Sequence, residues 1–439
     1  MQAVVTDERQ GFMRRHIAAV TLGNALEFYD FLTFSFFAIQ IGHAFFPSNS
    51  AYGSLMGSLA TFGAGFAMRP LGAIVIGRYA DRVGRKPAML LSFVLIGASI
   101  FGMALIPPYA AIGLAAPVLA VISRMLQGFS LGGEIGSNTS YLLEAAPPSE
   151  RGAIVGWQGA SQMIAILVGS LVGVLLSTML PPSLLDAYGW RIAFVLGGLA
   201  VPFGFWLRTS LPETLHKPEL GTAVAEPGLP TIALARRYWR IMVLGLTALG
   251  MGSIASYIQM YAVTYAQDTL HLSERVGFIA ETANAAIAIP AMLLGGWLSD
   301  RLGRWQLNVG ANFLFLILIY PLFAWVVRMP DATALITVMT VFGFASNLTF
   351  TSVCTALGES LPKAIRCSSF GLVYSVAIAA CGGSTQFVVT WLIHVSGSAM
   401  APAYYLIAAT AIAQIALMLI PESAPGRIKG LAVQAAATA

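Results

Sequence analysis

Long apolar segments, separated by short polar connections, occupy almost the whole chain of 439 residues. Many of them exceed the roughly 20 residues that an α-helix needs to cross the ~30 Å hydrocarbon core of a bilayer. Charges, prolines and turn residues divide this pattern into twelve segments, so the chain is predicted to be an all-α integral membrane protein with twelve transmembrane helices. The predicted spans are 16–46, 52–79, 87–107, 111–145, 152–180, 190–208, 238–267, 275–298, 306–327, 332–360, 366–396 and 401–421.

The longest polar connection, SLPETLHKPELGTAVAEPGLPT, follows the sixth predicted helix and divides the chain into two halves. Six spans precede this connection and six follow it. The sequence therefore predicts two six-helix bundles, joined by a cytoplasmic linker and flanked by cytoplasmic tails. The predicted regions are the N-terminal tail 1–15, the N-terminal bundle 16–208, the linker 209–237, the C-terminal bundle 238–421 and the C-terminal tail 422–439.

Two short motifs occur once in each half, at matching positions. The loop after the second helix of each half has the form G-x-x-x-D-R-x-G-R, with Asp81 in the first copy and Asp300 in the second. After the fourth helix, EAAPPSER and ESLPKAIR each place a glutamate seven residues before an arginine. Such repeats predict homologous bundles in parallel orientation, an architecture in which a substrate binds near the bilayer midplane between two halves that rock.

Composition and charge agree with this topology. The mean hydropathy of +0.77 is far above the range of soluble proteins. With the N-terminus in the cytoplasm, nineteen of the 24 Lys and Arg residues fall in cytoplasmic segments, three fall on the opposite side and two lie inside spans, as the positive-inside rule requires. These basic loops also explain the pI of about 9.1 without a nucleic-acid partner. The 3 Cys and 5 His residues have no metal-ligand spacing, so no cofactor is expected.

The repeated loop has a physical role beyond anchoring the topology. Its glycine allows the tight turn that joins two helices, and its aspartate can face the positive N-terminal end of a neighbouring helix. Such a contact can form in one rocking state and break in the other. A topology anchor alone is the plainer alternative, but two copies at matched positions favour a gate.

Four segments of the N-terminal half stand beside the repeated loops: GNALEFYDF (23–31), GFAMRPLGA (65–73), RMLQGFSLGGEIG (124–136) and GWQGASQ (156–162). Together with the loops, they resemble the major facilitator superfamily, and within it the metabolite:proton symporters, most of all those for citrate and tricarballylate. The resemblance covers nearly the whole chain and implies the major facilitator fold. It also implies a cytoplasmic gate formed by Asp81, Arg82, Arg85, Asp300, Arg301 and Arg304.

Charged side chains inside a span cost about 2.5–3.5 kcal/mol each on insertion scales and mark pathways or binding sites by default. Arg124 is the first candidate for a carboxylate ligand, since a guanidinium group binds carboxylates bidentately. A buried ion pair with Asp30 or Glu27 is the alternative role. Glycines 128, 132, 133 and 136 flank Arg124's helical face and permit a close neighbour. Spacings of 3 and 4 residues place on this face Arg124, Gln127, Leu131, Glu134 and Asn138.

Carboxylates inside the spans are the candidates for the coupling proton. A carboxylate that is partly desolvated and close to an arginine can load and release a proton near neutral pH. Glu134 is the main candidate, followed by Asp30 and Glu27 on the first helix. Arg69 on the second helix is expected to neutralise Glu27 or Asp30, and which pair is structural and which titrates stays open.

Polar residues on other helices extend the predicted binding site. Substrate ligands beside Arg124 and Arg69 are predicted at Asn24, Gln158, Gln162, Tyr257 and Tyr261. Tyrosines at helical spacing also fit packing or an interfacial belt, but the depth of Tyr257 in its span favours binding. Glu281 is expected near the outer mouth and is given no role. Ser161 belongs to the same polar lining of the fifth helix as Gln158 and Gln162. Weaker candidates are Asn347, Thr351, Thr355, Ser384 and Gln386.

The predicted function is import of a small carboxylate together with protons. The residues indicate an anionic substrate through Arg124 and Arg69, whereas citrate or a related tricarboxylate is implied by the resemblance. Alternatives within the same family are a dicarboxylate, a shikimate-like acid, or betaine and proline. A membrane enzyme is a further alternative, but no phosphate-binding glycine loop, metal-ligand cluster or nucleophile–base pair in the sequence supports it. A nutrient sensor would be expected to carry a long soluble signalling extension, which the sequence does not show. The protein is expected to be a monomer in the bacterial inner membrane.

Overall fold

The computed structural model describes residues 33–83, 85–132, 135–209 and 237–425, together with residues 21, 24, 25, 28, 29 and 427. Throughout this part of the chain the secondary structure consists of helices and short turns, with no strand. Long apolar segments favour this outcome, because in a bilayer a helix satisfies its backbone hydrogen bonds within one segment. The prediction of an all-α protein is confirmed.

The N-terminal half has a helix, or two helices in line, at each predicted span. The second span is divided at Met68, and the fourth is described as helix on both sides of residues 133–134, which lie outside the described residues. The helices are α1 (Ala38–Phe45), α2 (Ala51–Ala67), α3 (Arg69–Val83), α4 (Arg85–Leu105), α5 (Tyr109–Ile112), α6 (Ala115–Gly132), α7 (Ile135–Ala145), α8 (Arg151–Met179), α9 (Pro182–Leu184) and α10 (Trp190–Thr209).

The C-terminal half repeats this pattern. Its second helix extends four residues beyond the predicted end at residue 298, so Asp300 lies inside the last turn. The helices are α11 (Trp239–Met260), α12 (Ala262–Thr264), α13 (Glu274–Leu302), α14 (Arg304–Arg328), α15 (Ala332–Ser360), α16 (Lys363–Ala377), α17 (Gly383–Ser396) and α18 (Ala401–Leu419).

Length and apolar composition identify the helices that can cross a membrane. Among the described residues, 10 helical segments are long and apolar enough to do so. The third predicted span appears as a shorter apolar helix, Leu90–Leu105. The first predicted span is described only in part, through α1 and the helical residues of its earlier turns. The twelve predicted spans are thereby accounted for.

Within the described part of the chain, short π-helical turns occur at three places, Leu185–Gly189, Tyr265–Thr269 and Ile378–Gly382. The third joins α16 to α17 and therefore bends the eleventh span near its middle. A β-carbon on Gly382 would collide with the ring of Tyr257. The absence of a side chain at Gly382 thus gives room to an aromatic side chain from the seventh span, and π-turns often occur at functional positions.

The repeated loop of the C-terminal half turns at Gly303. This residue has φ 105 and ψ 152, a region of backbone space that is essentially limited to glycine. The predicted need for positive φ is confirmed at this copy, although the ψ value differs from that of a left-handed helical turn. Gly84, in the other copy, lies outside the described residues.

Several pairs of helices join the two halves, among them α8 with α13, α2 with α17 and α7 with α16. Helix α8 runs against α13, with Gly152 touching Gly296 at one end and Gly173 touching the ring of Phe278 at the other. Helix α2 approaches the eleventh span at the start of α17 (Gly383). Between these pairs lies the seam, the buried region in which side chains of both halves meet.

Candidate functional site

Two arginines lie at a close crossing between the second and fourth spans. A β-carbon on Gly128 would overlap with the carbonyl oxygen of Gly65, and one on Gly132 would overlap with that of Arg69. The backbones of α2, α3 and α6 are therefore almost in contact, as the predicted glycine face requires. This crossing brings Arg69 and Arg124 into the same part of the bundle.

Both arginines are buried against aromatic rings. Arg124 is 1% exposed and Arg69 is 2% exposed. The guanidinium carbon of Arg124 lies 4.6 Å from the ring centre of Phe34 and 5.2 Å from that of Phe62, while that of Arg69 lies 4.4 Å from Phe66. Such cation–π contacts stabilise a desolvated cation by about 2 kcal/mol or more.

The C-terminal half completes this group through Tyr257. Its ring lies 5.2 Å from the ring of Phe66 and 6.3 Å from that of Phe62, both in edge-on geometry. Tyr257 also interacts electrostatically with the guanidinium groups of Arg69 and Arg124. The arginine–aromatic cluster, made of Phe34, Phe62, Phe66, Arg69, Arg124 and Tyr257, therefore joins the two halves.

A second polar group lies along the fifth span. Asn24 donates a hydrogen bond to the Oγ of Ser161 at 2.9 Å, and Thr139 donates to the Oε1 of Gln158 at 2.9 Å. Gln158 and Gln162 border a small cavity of about 10 Å³ between the halves. Its opposite wall, from the C-terminal half, includes Thr351, Cys354 and Tyr374.

The other predicted binding residues have defined positions in the C-terminal half. The hydroxyl of Tyr261 accepts a hydrogen bond from Thr390 at 2.8 Å inside that half, away from the arginine–aromatic cluster. Asn347 donates to the carbonyl of Gly343 at 2.8 Å. Gln386 crosses the seam and donates to the Oγ of Ser35 at 2.6 Å. Gln158, Gln162 and Tyr257 thus face the seam, whereas Asn24 is hydrogen-bonded within its own half and Tyr261 lies behind the seam.

The predicted proton carriers Glu27, Asp30 and Glu134 lie outside the described residues. Other residues on the helical face of the fourth span where Glu134 is predicted to lie are described by the structure. Arg124, Gln127 and Leu131 are all buried on it, and the guanidinium group of Arg124 donates to the amide oxygen of Gln127. The helical face is confirmed up to Gly132.

The charged end of the seam, defined by Glu144, Arg151, Asp300, Arg304, Glu359 and Arg366, is closed. The two oxygens of Asp300 accept hydrogen bonds at 2.9 Å from the backbone N–H groups of Gly152 and Ala153. These are free N–H groups of the first turn of α8, where the helix dipole favours a negative charge. The predicted contact of the loop aspartate with a neighbouring helix is present at this copy.

Ion pairs across the seam surround this contact. Arg304 is 1% exposed and lies 2.6 Å from Asp300 and 3.2 Å from Glu359. Glu359 also pairs with Arg151 at 3.6 Å, and Glu144 pairs with Arg366 at 3.7 Å. The two repeated Glu and Arg positions therefore pair crosswise, each glutamate with the arginine of the other half.

The remaining gate candidates do not join this ion-pair group among the described side chains. The Arg301 guanidinium stacks 3.9 Å from the ring of Trp297 and is exposed. The backbone at Asp81, Arg82 and Arg85 is helical, but their side chains lie outside the described part of the structure.

The opposite end of the seam is also closed. Gln40 of α1 donates a hydrogen bond at 2.8 Å to Glu274 of α13. The rings of Tyr52 and His394 stack with centres 3.8 Å apart, again across the seam. Deeper in the seam, the ring centre of Phe278 lies 5.4 Å from that of Phe37. Contacts at both ends therefore enclose the candidate site in this conformation.

Sequence reasoning placed Glu281 near an outer mouth, and the structure places it in the closed interior instead. Its side chain is 0% exposed. Both carboxylate oxygens lie 3.3 Å from the amide nitrogen of Asn284, which donates to them. The i to i+3 spacing of these two polar residues on α13 was the available signal, but burial depends on the helices packed around them.

Fold and site together define a class of protein. Two helical bundles that enclose a buried polar site, with closing contacts at each end, form the architecture of transporters that work by alternating access. Residues 20–382 match the Major Facilitator Superfamily, so the chain belongs to that family.

Individual relatives agree with this assignment. The citrate-proton symporter of Salmonella typhi is 38% identical over 90% of this chain and 90% of the relative. The citrate-proton symporter of Klebsiella pneumoniae is 37% identical, covering 89% and 88%. A proline/betaine transporter of Escherichia coli is 30% identical, covering 97% and 87%. The predicted resemblance to citrate symporters of this superfamily is confirmed.

Solved structures support the fold. The xylose transporter of E. coli, in a partially occluded inward-open conformation, superposes with a TM-score of 0.75 at 18% sequence identity. The comparison covers 94% of this chain and 99% of the xylose transporter. At this identity the likeness concerns the fold alone.

Proposed function

We propose that this protein imports a small carboxylate, citrate or a related tricarboxylate, together with protons. The names of the S. typhi and K. pneumoniae relatives support this substrate class and this coupling ion. The two rocking bodies are the N-terminal bundle 16–208 and the C-terminal bundle 238–421. Because each chain contains both bodies, a monomer is the proposed transporting unit.

The observation that carries the proposal is the arginine–aromatic cluster. Arg69 and Arg124 put two positive charges in the bundle interior beside the seam. Stacking on an aromatic face holds a guanidinium group without using its N–H donors. Those donors match the two oxygens of a carboxylate, and Lys could not reproduce that geometry. The remaining proposed ligands are Asn24, Gln158, Gln162 and Tyr257; Tyr261, predicted from the sequence as a ligand, lies behind the seam.

The charged end is the proposed cytoplasmic gate. Asp300, Arg301 and Arg304 form one copy of it, and Asp81, Arg82 and Arg85 form the other. Both chain termini then lie on the cytoplasmic side of a bacterial inner membrane. Opening of this end releases the substrate, while the contacts of Gln40, Tyr52 and Phe278 keep the outer end closed. Glu134, Asp30 and Glu27 are the proposed carriers of the coupling proton.

Uptake of labelled citrate into proteoliposomes tests this proposal. With an inward proton gradient imposed, we expect accumulation that collapses when a protonophore is added. Arg124→Ala should abolish it, because the cluster loses its hydrogen-bonding fork. The matched control is Arg328→Ala, at an exposed position at the end of α14, which should retain uptake.

Folded wild-type protein that takes up no citrate would contradict the substrate assignment. The same vesicles should then be tested with a dicarboxylate, a shikimate-like acid, betaine and proline. A gradient-independent uptake of citrate would instead contradict the coupling.

Betaine or proline is the second candidate, since the similar E. coli transporter is named for these substrates. An aromatic cage commonly receives the quaternary ammonium group of such a ligand. Here the aromatic faces of Phe34, Phe62 and Phe66 are occupied by the guanidinium groups of Arg124 and Arg69. This occupation favours a substrate of net negative charge.

A further inference from the structure

We propose that Glu281 is a proton-binding site whose protonation is required for the outer end of the seam to close. This inference rests on the proposed function, because it assigns one coupled proton of that transport cycle. It concerns the C-terminal half, whereas the proton carriers predicted from the sequence, Glu134, Asp30 and Glu27, all lie in the N-terminal half.

The immediate surroundings of Glu281 contain little that could stabilise a charge. The side chain is 0% exposed, and its neighbours along the helix, Ala280 and Ala285, are 0% exposed as well. Asn284 is its hydrogen-bond partner, at 3.3 Å from each oxygen. Among the described residues no arginine, lysine or histidine forms an ion pair with it.

An ionised carboxylate in such a place is costly. Moving a charge into a dry interior costs several kcal/mol even after relaxation, and a single amide donor does not offset that cost. A neutral carboxylic acid avoids this cost. In the closed conformation Glu281 is therefore assigned the protonated form.

Glu281 lies on the same helix as the contacts that close the outer end of the seam. Glu281 lies seven residues, or about 10 Å of helix rise, beyond Glu274, the hydrogen-bond partner of Gln40. Between the two, Phe278 lies against Gly173, Phe36 and Phe37 of the N-terminal half. Phe278 thus separates Glu281 from the outer surface.

The residue directly after Glu281 also spans the seam. Thr282 donates a hydrogen bond to the Oγ of Ser170 at 3.0 Å. Separation of α13 from α8 at this level breaks that bond and removes Phe278 from Gly173. Water then reaches the carboxyl group, which can exchange its proton with the outer solution. Renewed closure with an ionised Glu281 would seal an uncompensated charge inside the protein, so closure requires the proton.

The test compares wild type with Glu281→Gln in proteoliposomes, with labelled citrate as the probe. An imposed gradient of one pH unit corresponds to 1.36 kcal/mol per coupled proton, which is about tenfold in accumulation. The variant mimics the neutral acid, so its outer end closes without a proton. We expect its steady-state accumulation ratio to be about tenfold lower, with citrate counterflow retained. Asp331→Asn is the matched control, because asparagine also serves as the cap of α15.

Counterflow separates the possible failures. Wild type without citrate counterflow would overturn the proposed function rather than the role of Glu281. A Glu281→Gln protein that accumulates citrate as wild type does, with the same dependence on external pH, would overturn this inference. Infrared difference spectra give a readout that does not depend on transport: the carbonyl band of a protonated carboxyl group should be present in wild type and missing in the variant. Absence of that band from wild type would also overturn the inference.

Discussion

Arg124 shows why a single residue type matters at the candidate site. Its guanidinium group lies against the rings of Phe34 and Phe62 and donates to Gln127. A planar fork can do this and still present hydrogen-bond donors to a carboxylate, whereas an ammonium group is a point charge that neither stacks as well nor forms parallel bonds.

Replacement of Arg124 by lysine therefore separates charge from geometry. A hydrogen bond to a charged group contributes about 1.5–3 kcal/mol, so Arg124→Lys should raise the KM for citrate by about tenfold or more. The measurement is the concentration dependence of uptake, with Arg328→Lys as the control. An unchanged KM would show that positive charge alone is sufficient at this position.

Residue-scale predictions from the sequence succeeded where local geometry determines the outcome. Spacings of 3 and 4 residues placed Arg124, Gln127 and Leu131 on one helical face, and all three are buried. The partners of these residues could not be predicted in the same way. Which ring faces Arg124 depends on helices far away in sequence, and the burial of Glu281 depends on Phe278 and α8.

At the scale of helices, glycine determines how closely two spans approach. The crossing of α2 and α6 has Gly65 against Gly128, with no room for a β-carbon on Gly128. Such contacts let neighbouring backbones pack together in a bilayer, where no hydrophobic force drives helices together.

Gly128→Ala should therefore destabilise the protein. Overpacking typically costs about 1–3 kcal/mol, and we expect a lower Tm in detergent together with weaker citrate uptake, because the crossing positions both arginines. Gly310→Ala is the control, since nothing lies within 4 Å of a β-carbon at this helical position. Equal losses of stability in the two variants would contradict the proposed role of the crossing.

Helix boundaries were predicted to within a few residues because charges and turn residues mark them directly. The π-turn at Ile378–Gly382 was not predicted. Gly382 in this turn leaves room for the ring of Tyr257, a contact between spans that are distant in sequence. Nothing in the local pattern of the eleventh span distinguishes that bend from a straight helix.

At the scale of the whole molecule, the charged end is held by a network that crosses the seam. Glu359 pairs with Arg304 of its own half and with Arg151 of the other. Breaking a buried pair leaves an uncompensated charge and is strongly unfavourable. The stability of the closed state at this end thus depends on Glu359.

We expect Glu359→Gln to open the charged end more often. Cys354, a buried residue at the cavity wall, can report this after Cys367 and Cys381 are changed to serine. Even 1 kcal/mol shifts a two-state equilibrium about fivefold, so maleimide labelling of Cys354 should be about fivefold faster or more. Glu150→Gln, an exposed change at the same end, is the control. Labelling at the wild-type rate in Glu359→Gln would contradict the role of the network.

The repeats allowed the two-bundle architecture to be predicted, since matched motifs imply matched bundles. They did not reveal the crosswise pairing of Glu144 with Arg366 and of Arg151 with Glu359. A repeat shows which positions are equivalent, but the partner of each position depends on how the bundles face each other.

Crosswise pairing also has a consequence for biosynthesis. Translation delivers Glu144 and Arg151 to the membrane long before Arg366 and Glu359 are synthesised. During that interval Glu144 and Arg151 lack the residues with which they pair in the folded protein. They remain at the bilayer surface, where water can hydrate them. Arrival of the second half then replaces this hydration with ion pairs. These two ion pairs between the halves can therefore form only after the C-terminal half has been synthesised.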